Sequence, residues 1–100
     1  MSWFRSARTP VPRSPEWRKV RKQHLKNHPT CEACGTRILN DVHHVVPFHI
    51  DPSLELAAWN LITLCRRPLR RHHFRVGHRG NWSSSNPDVR AEAAALLAGG

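Results

Sequence analysis

No apolar run in the 100-residue sequence approaches transmembrane length, and its first residues lack a signal-peptide core. No membrane partner is expected, and the chain reads as soluble and intracellular. Cysteine is scarce and odd in number. Three residues do not make a disulfide framework, although Cys31 and Cys34 form C-x2-C, a metal or redox pattern in a reducing compartment. Acids are scarce too: sixteen Lys+Arg face seven Asp+Glu, for a formal net charge of +9. The shortage is local. Residues 1–26 hold eight bases and one acid, residues 66–79 hold six arginines and no acid, and residues 27–65 hold one base and four acids. A solvated face is the plain reading of a charge run, but six arginines with no acid to pair them fit a polyanion better, nucleic acid foremost. There is no internal repeat and no helix-turn-helix to read base sequence. A chain this short makes one small domain, which buries limited surface and needs cross-links.

What is present falls into short, punctuated segments. Residues 1–13, "MSWFRSARTPVPR", are basic, proline-rich and aperiodic, and read as a flexible arm. The main domain is placed at residues 14–90, with 91–100 the end of a C-terminal helix and a tail. A helix is expected over "SPEWRKVRKQHLKNHP". Ser14 serves as N-cap, Pro15 suits the first turn, Glu16 suits the dipole, and Pro29 closes the helix. Trp17, Val20, His24, Leu25 and His28 share one stripe. The i,i+4 spacing of His24 and His28 fits a shared metal, but a partly buried stripe is the simpler reading. "CEACG" is a tight knuckle. "RILNDVHHVVP" is two strand pieces around an Asn-Asp turn, or one bent strand. Residues 47–59 form a long loop, and "NLITLC" is a second strand. "RPLRRHHFRV" is expected to be a helix stopped by Gly77, followed by an irregular linker. "PDVRAEAAALLA" is a helix capped by Asn86.

A C-x2-C knuckle needs two more ligands to close a tetrahedral zinc site. Cys65 ends the second strand, thirty-one residues after Cys34, where a hairpin can return it to the knuckle. His72 follows seven residues later, across a segment able to turn back. Cys31, Cys34, Cys65 and His72 are therefore expected to form a structural Cys3His zinc site, which contributes folding free energy directly. A thioredoxin-like redox pair is the competing reading, but the βαβ pattern it requires is absent.

Histidine is unusually placed. "DVHHVVPFHI" sets His43 and His44 side by side in a strand-like run, where their side chains point to opposite faces. Together with "CEACG", "VHHVVPFHIDPSLEL", "NLITLC" and "HHFRVGHRGNW", this resembles an HNH endonuclease of the ββα-metal type, in particular small stand-alone phage and bacterial HNH proteins. The resemblance covers about residues 15–90. It implies an α+β fold: an antiparallel β-hairpin with a long loop, then a helix, zinc-stapled and flanked by N- and C-terminal helices. His43 resembles the first-strand metal ligand, His44 the general base, Asn60 the residue that orients the base-bearing loop, and His73 the helix ligand. His78 falls where some members place a further ligand. The implied cofactors are structural Zn2+ and one catalytic divalent ion (Mg2+, Mn2+, Ni2+ or Zn2+), and the implied location is the cytoplasm of a bacterial or phage-infected cell. The implied activity is DNA hydrolysis by a one-metal mechanism, often beside a phage terminase.

Two departures follow. The place before the helix histidine usually carries a fourth cysteine and here carries His72. His72 and His73 could exchange sites. Successive helix positions differ by about 100°, so each should face only one site, and motif order favours His72 on zinc. His78 lies about 140° beyond His73 on a continuous helix, so joining it requires the helix to end at Gly77 and the chain to fold back. Arg66, Arg67, Arg70, Arg71, Arg75 and Arg79 flank this helix and are expected to clamp phosphates of double-stranded DNA, giving low sequence specificity and steep salt dependence. His49 is read as a loop residue, and Trp59 and Trp82 as packing residues. The alternative function is a zinc-stabilised nucleic-acid-binding module without catalysis, in which the His43-His44, Asn60, His73 set has no task.

Overall fold

The computed structural model describes residues 12–99, so the expected arm lies, apart from Pro12 and Arg13, outside the described residues. Helix α1 (Trp17–Asn27) leads to the knuckle, followed by strand β1 (Asn40–His44), a long connection containing two 3-10 turns (Pro52–Leu54 and Ala58–Asn60), and strand β2 (Leu61–Cys65). A single π-helical turn (His73–Gly77) and helix α2 (Val89–Gly99) complete the order. β1 and β2 pair antiparallel, with Asn40 opposite Cys65 and His44 opposite Leu61. The protein is thus α+β with a two-stranded sheet in a ββα-like layout. The Asn-Asp pair lies within β1 rather than in a turn.

β2 is buried at all five positions, with both faces covered, which suits its mostly apolar sequence; the one polar side chain, Thr63, donates to the His28 carbonyl (2.7 Å). α1 packs against the sheet, while the π turn packs against β2 and α2. The core joins Cys31, Ala33, Ile62, Leu64, Cys65, Val76, Val89 and Ala93. Burying residues of this size contributes about 1.5–3 kcal/mol each for the larger ones, a small sum for a chain of this length. α2 runs unbroken across residue 90, and Val89 and Ala93 on either side of it are both core residues.

Ser14 is not the N-cap expected of it: Glu16 holds that place in α1, with no side-chain cap bond, because the helix begins only at Trp17. Ser14 instead closes the turn before it, its hydroxyl accepting from the Glu16 amide (3.1 Å) and its carbonyl from the Trp17 amide (3.0 Å). α1 buries no residue fully, so its apolar stripe is only half covered. Asn86, completely buried, accepts from the Asp88 amide through Oδ1 (3.0 Å) and donates to the Val76 carbonyl (2.9 Å), tying α2 to the π turn.

The helix expected over "RPLRRHHFRV" is not continuous. Leu69 (φ 71°) and Arg71 (φ 45°) adopt left-handed backbone, and only the turn His73–Gly77 is helical. Non-glycine residues tolerate this conformation at a cost, here imposed by a chain that must leave β2 and return His72 to the knuckle.

Candidate metal centres

The knuckle is shaped by its backbone. The Gly35 amide donates to the Cys31 carbonyl (2.7 Å) and the Cys31 amide to the Thr36 carbonyl (2.8 Å), with Gly35 at φ 78°. This places Cys31 and Cys34 over the end of β2, where Cys65 arrives. The donor atoms of Cys31, Cys34, Cys65 and His72 all lie within 4.8 Å of one another. Cys34 and Cys65 Sγ are 3.9 Å apart, and His72 Nδ1 is 3.6 Å from Cys31 Sγ and 3.5 Å from Cys65 Sγ. A zinc tetrahedron with bonds of about 2.3 Å to sulfur and 2.0–2.1 Å to nitrogen has edges of about 3.8 and 3.6 Å, so the four donors fit such an ion. Burial pushes the Cys31 thiol up to about 11, so it would take a bound cation to hold it as thiolate. Burial raises Cys34 too, but the Thr36 amide and the Arg70 side chain outweigh it, and this thiol lies below its ordinary value. The free cysteines form no disulfide.

A second group gathers on the other side of the π turn. The donor atoms of His43, His73 and His78 also lie within 4.8 Å of one another. His72 and His73 are therefore separated, one to each group. The wide π turn solves the problem posed by His78, because i→i+5 hydrogen bonding brings residues five apart onto one side. Gly77 acts differently from the expected chain-reversing stop. Its φ is not positive; instead, a Cβ there would stand 3.0 Å from the His43 ring, so glycine is what admits the imidazole. The reversal falls at Arg79 (φ 51°) and Gly80 (φ 78°).

Hydrogen bonds fix which nitrogen each ring offers. His73 Nδ1 donates to Asp41 Oδ2 (3.1 Å) and His78 Nδ1 to the Ser84 carbonyl (2.9 Å), leaving Nε2 of each with its lone pair. His43 is 2% exposed, and its Nε2 is buried with no hydrogen-bond partner among the described residues. Burial, with help from His73, His78 and His44, lowers His43 to about 3, so it is a neutral donor at pH 7. His73 is likewise lowered by burial, against the opposing hydrogen bond from Asp41. An orphaned nitrogen beside two oriented imidazoles is a group of donors that could hold a metal ion.

His44 stays outside this group. It is the last residue of β1, where pairing ends and one cleft can reach both faces of the strand. Its Nε2 donates to the Glu55 carbonyl (2.9 Å), so Nδ1 is the unprotonated nitrogen. Burial lowers its pKa, partly offset by that bond. Trp17 backs the ring at 4.6 Å between centroids. Asn60, fully buried at the start of β2, holds the connecting loop closed. It accepts from the Val46 amide (2.7 Å) and donates to the carbonyls of Val46 and Leu54 (3.1 Å each). Leu54 precedes Glu55, so Asn60 pins the segment that orients His44.

An open cleft of about 490 Å³ takes in His43, His44, His73 and His78. Its other lining residues include Arg13, Arg21, Asp41, Phe48 and Trp82, none of which was singled out from the sequence, except Trp82 as a packing residue. None of the six arginines of residues 66–79 lines it. Arg79 instead pairs with Glu92 (3.4 Å) and Asp88 (3.7 Å), Arg66 pairs with Asp41 (3.3 Å), and Arg67 donates to the Thr36 hydroxyl (3.2 Å). Arg70, Arg71 and Arg75 are exposed. His49 is an exposed residue of the cleft rim. Trp59 and Trp82 are 59% and 57% exposed, contrary to the expectation of packing. His24 and His28 stack at 4.8 Å, but no third ligating side chain joins them among the described residues.

One signal for the missed groups was legible: Asp41 stands two positions before His43 and points to the same side of the strand. Glu55 carried none. It is 4% exposed and accepts from the Ser14 amide (2.9 Å) and from Arg13 (3.5 Å), contacts that only the folded loop creates. No helix among the described residues is long and apolar enough to cross a membrane. Compared with known proteins, the chain matches no family model, no curated protein and no solved structure.

Proposed function

We propose that the chain is a metal-dependent DNA endonuclease of the HNH, ββα-metal type, cutting phosphodiester bonds with little sequence preference. One observation carries this reading: a three-imidazole group has beside it a fourth histidine, His44, that stays outside the group and keeps Nδ1 free. His43, His73 and His78 are the residues that would hold a catalytic ion, Mg2+, Mn2+, Ni2+ or Zn2+. When bound, such an ion supplies Lewis acidity that neutralises charge developing on the phosphate. His44, neutral at pH 7, takes the proton of the attacking water at Nδ1 and retains its Nε2 hydrogen bond throughout. Asn60 and Glu55 orient this base through backbone contacts. Cys31, Cys34, Cys65 and His72 would hold structural Zn2+. Double-stranded DNA is the proposed polymer, and a phage terminase is the partner that the sequence resemblance proposes.

In the alternative, a zinc-stabilised binding module, the freed Nδ1 of His44 does nothing. Supercoiled plasmid incubated with the zinc-loaded protein and each divalent ion in turn separates the two. Nicking that His44→Ala abolishes supports the nuclease; binding without nicking under any ion supports the module.

A further inference from the structure

Trp82 is out of place for a packing residue. It is 57% exposed, although indole is the largest apolar side chain and a small domain has every reason to bury it. Its covered side is fully used. The ring meets Phe74 at 4.8 Å, His78 at 4.9 Å and, edge-on, His73 at 5.4 Å between centroids. These contacts fix it as a rigid plate against two histidines of the cleft, on whose lining it stands. The other cleft aromatics are occupied. Trp17 lies against the His44 ring at 4.6 Å, and the Phe48 face carries the Arg13 guanidinium at 4.3 Å. Trp82 is the large cleft aromatic with much of its surface uncommitted.

We propose that Trp82 is a base-stacking platform, and that within the double-stranded DNA proposed above the site acts where the base beside the attacked phosphate is unstacked, at a frayed, gapped or locally single-stranded stretch rather than a fully stacked one. The proposal rests on the nuclease reading for the identity of the attacked bond, but its binding claim stands without it. In an intact duplex the base faces are covered by their neighbours and only the edges reach the grooves, so an indole face has nothing to stack on. A strand with an unstacked base offers a π-face of any sequence, which agrees with the absence of a base-reading element. Size points the same way. A cleft of about 490 Å³ accommodates a small-molecule-sized group such as one nucleotide, with Arg13 and Arg21 on the lining to meet its phosphates.

Binding is measured without relying on cleavage. Zinc-loaded protein is titrated with a labelled 12-nucleotide strand and with the duplex of the same sequence at one salt concentration, with no other divalent ion added. Wild type should bind the single strand more tightly. Trp82→Leu, which keeps apolar packing but removes the π-face, should weaken single-strand binding roughly 5–100-fold and leave duplex binding unchanged, while Trp82→Phe should retain most of the affinity. An abasic site stepped along the strand, tested on wild-type protein alone, should reproduce the loss at one or two positions; this keeps the test decisive should the leucine variant misfold. The proposal is overturned if wild type prefers the duplex, if Trp82→Leu with normal zinc content weakens both ligands alike or neither, or if no abasic position matters. Loss of nicking on every DNA, with the stacking signature intact, sinks the nuclease reading and leaves this one standing. Nicking unaffected by Trp82→Leu on gapped and intact DNA does the reverse.

Discussion

The two histidine-containing groups differ in closure more than in ligand type. The Cys3His group presents four donors spaced as a tetrahedron's corners, two of them on fully buried cysteines that belong to the hydrophobic core. The three-imidazole group presents three donors on the wall of an open cleft, with a fourth histidine near enough to share the cleft but turned to another task. A closed tetrahedron suits an ion that only binds; an incomplete set leaves coordination positions to substrate. Adjacent residues, His72 and His73, serve the two groups, so the chain distinguishes them by a single step along its backbone.

The largest expected effect falls on the closed group. Cys65→Ser should leave the protein unfolded or nearly so, with its zinc lost, because Cys65 is a core residue and, on the proposed reading, a zinc ligand too. His73→Ala should keep the fold and the zinc and lose nicking. Melting temperature, zinc content and plasmid nicking measured on both variants test the contrast. The reverse pattern, a stable Cys65→Ser and an unfolded His73→Ala, would show that the two groups have been assigned the wrong way round. His72→Cys sharpens the same point: it should preserve fold, zinc and activity alike, since cysteine closes the tetrahedron equally well.

Next in size is the base. His44→Ala should lower the cleavage rate by about 10²–10⁴-fold while binding of DNA and of both ions persists. Removing His44 touches neither group of donors, so full activity in this variant would place the base elsewhere.

The sequence was most legible where one residue type can do only one thing. Cysteine spacing led to the four clustered donors that could hold a metal ion, and the largely apolar run 61–65 led to β2, because thiols and buried strands have narrow requirements. The hydrogen-bond partners of Asn60 were not legible, since its bonds to residues 46 and 54 exist only once the loop has closed. The segment 67–76 does not form the one helix expected of it. Its helical pattern is real, yet the need to send His72 to the knuckle and His73 to the cleft overrides propensity and twists Leu69 and Arg71 into left-handed backbone. Gly77 was seen as a break, whereas its contribution is the room it leaves for the His43 ring. The arginines were legible as charge and not as contacts, because partners such as Asp88 and Glu92 meet Arg79 only once the chain reverses after the π turn and α2 docks.

Asp41 gives a smaller and more selective effect. Its carboxylate accepts from His73 and is itself held by Arg66 and, at 3.9 Å, by Arg21, so it orients one ligand of the open group and none of the closed group. Asp41→Asn should cost about 10–100-fold in affinity for the catalytic ion or in activity, with unchanged zinc content. Titrating nicking against Mn2+ or Ni2+ measures it. A variant with wild-type ion dependence would mean that the Asp41–His73 bond is incidental.

The smallest expected effect separates charges that look equivalent in the sequence. Arg70 and Arg71 are exposed and have no carboxylate partner among the described residues, whereas Arg79 is committed to Asp88, Glu92 and the Asn86 side chain at 2.6 Å. Replacing Arg70 and Arg71 by alanine should reduce the slope of log affinity against log salt by roughly one to two units, at about 0.9 per phosphate contact, and should do so on every DNA sequence. Arg79→Ala should leave the slope unchanged and lower the melting temperature, since it loosens the N-terminus of α2. Arg13→Ala and Arg21→Ala complete the set. If the slope falls only in these two, the phosphate track runs along the cleft mouth and not over the arginine block, and the open group alone positions DNA.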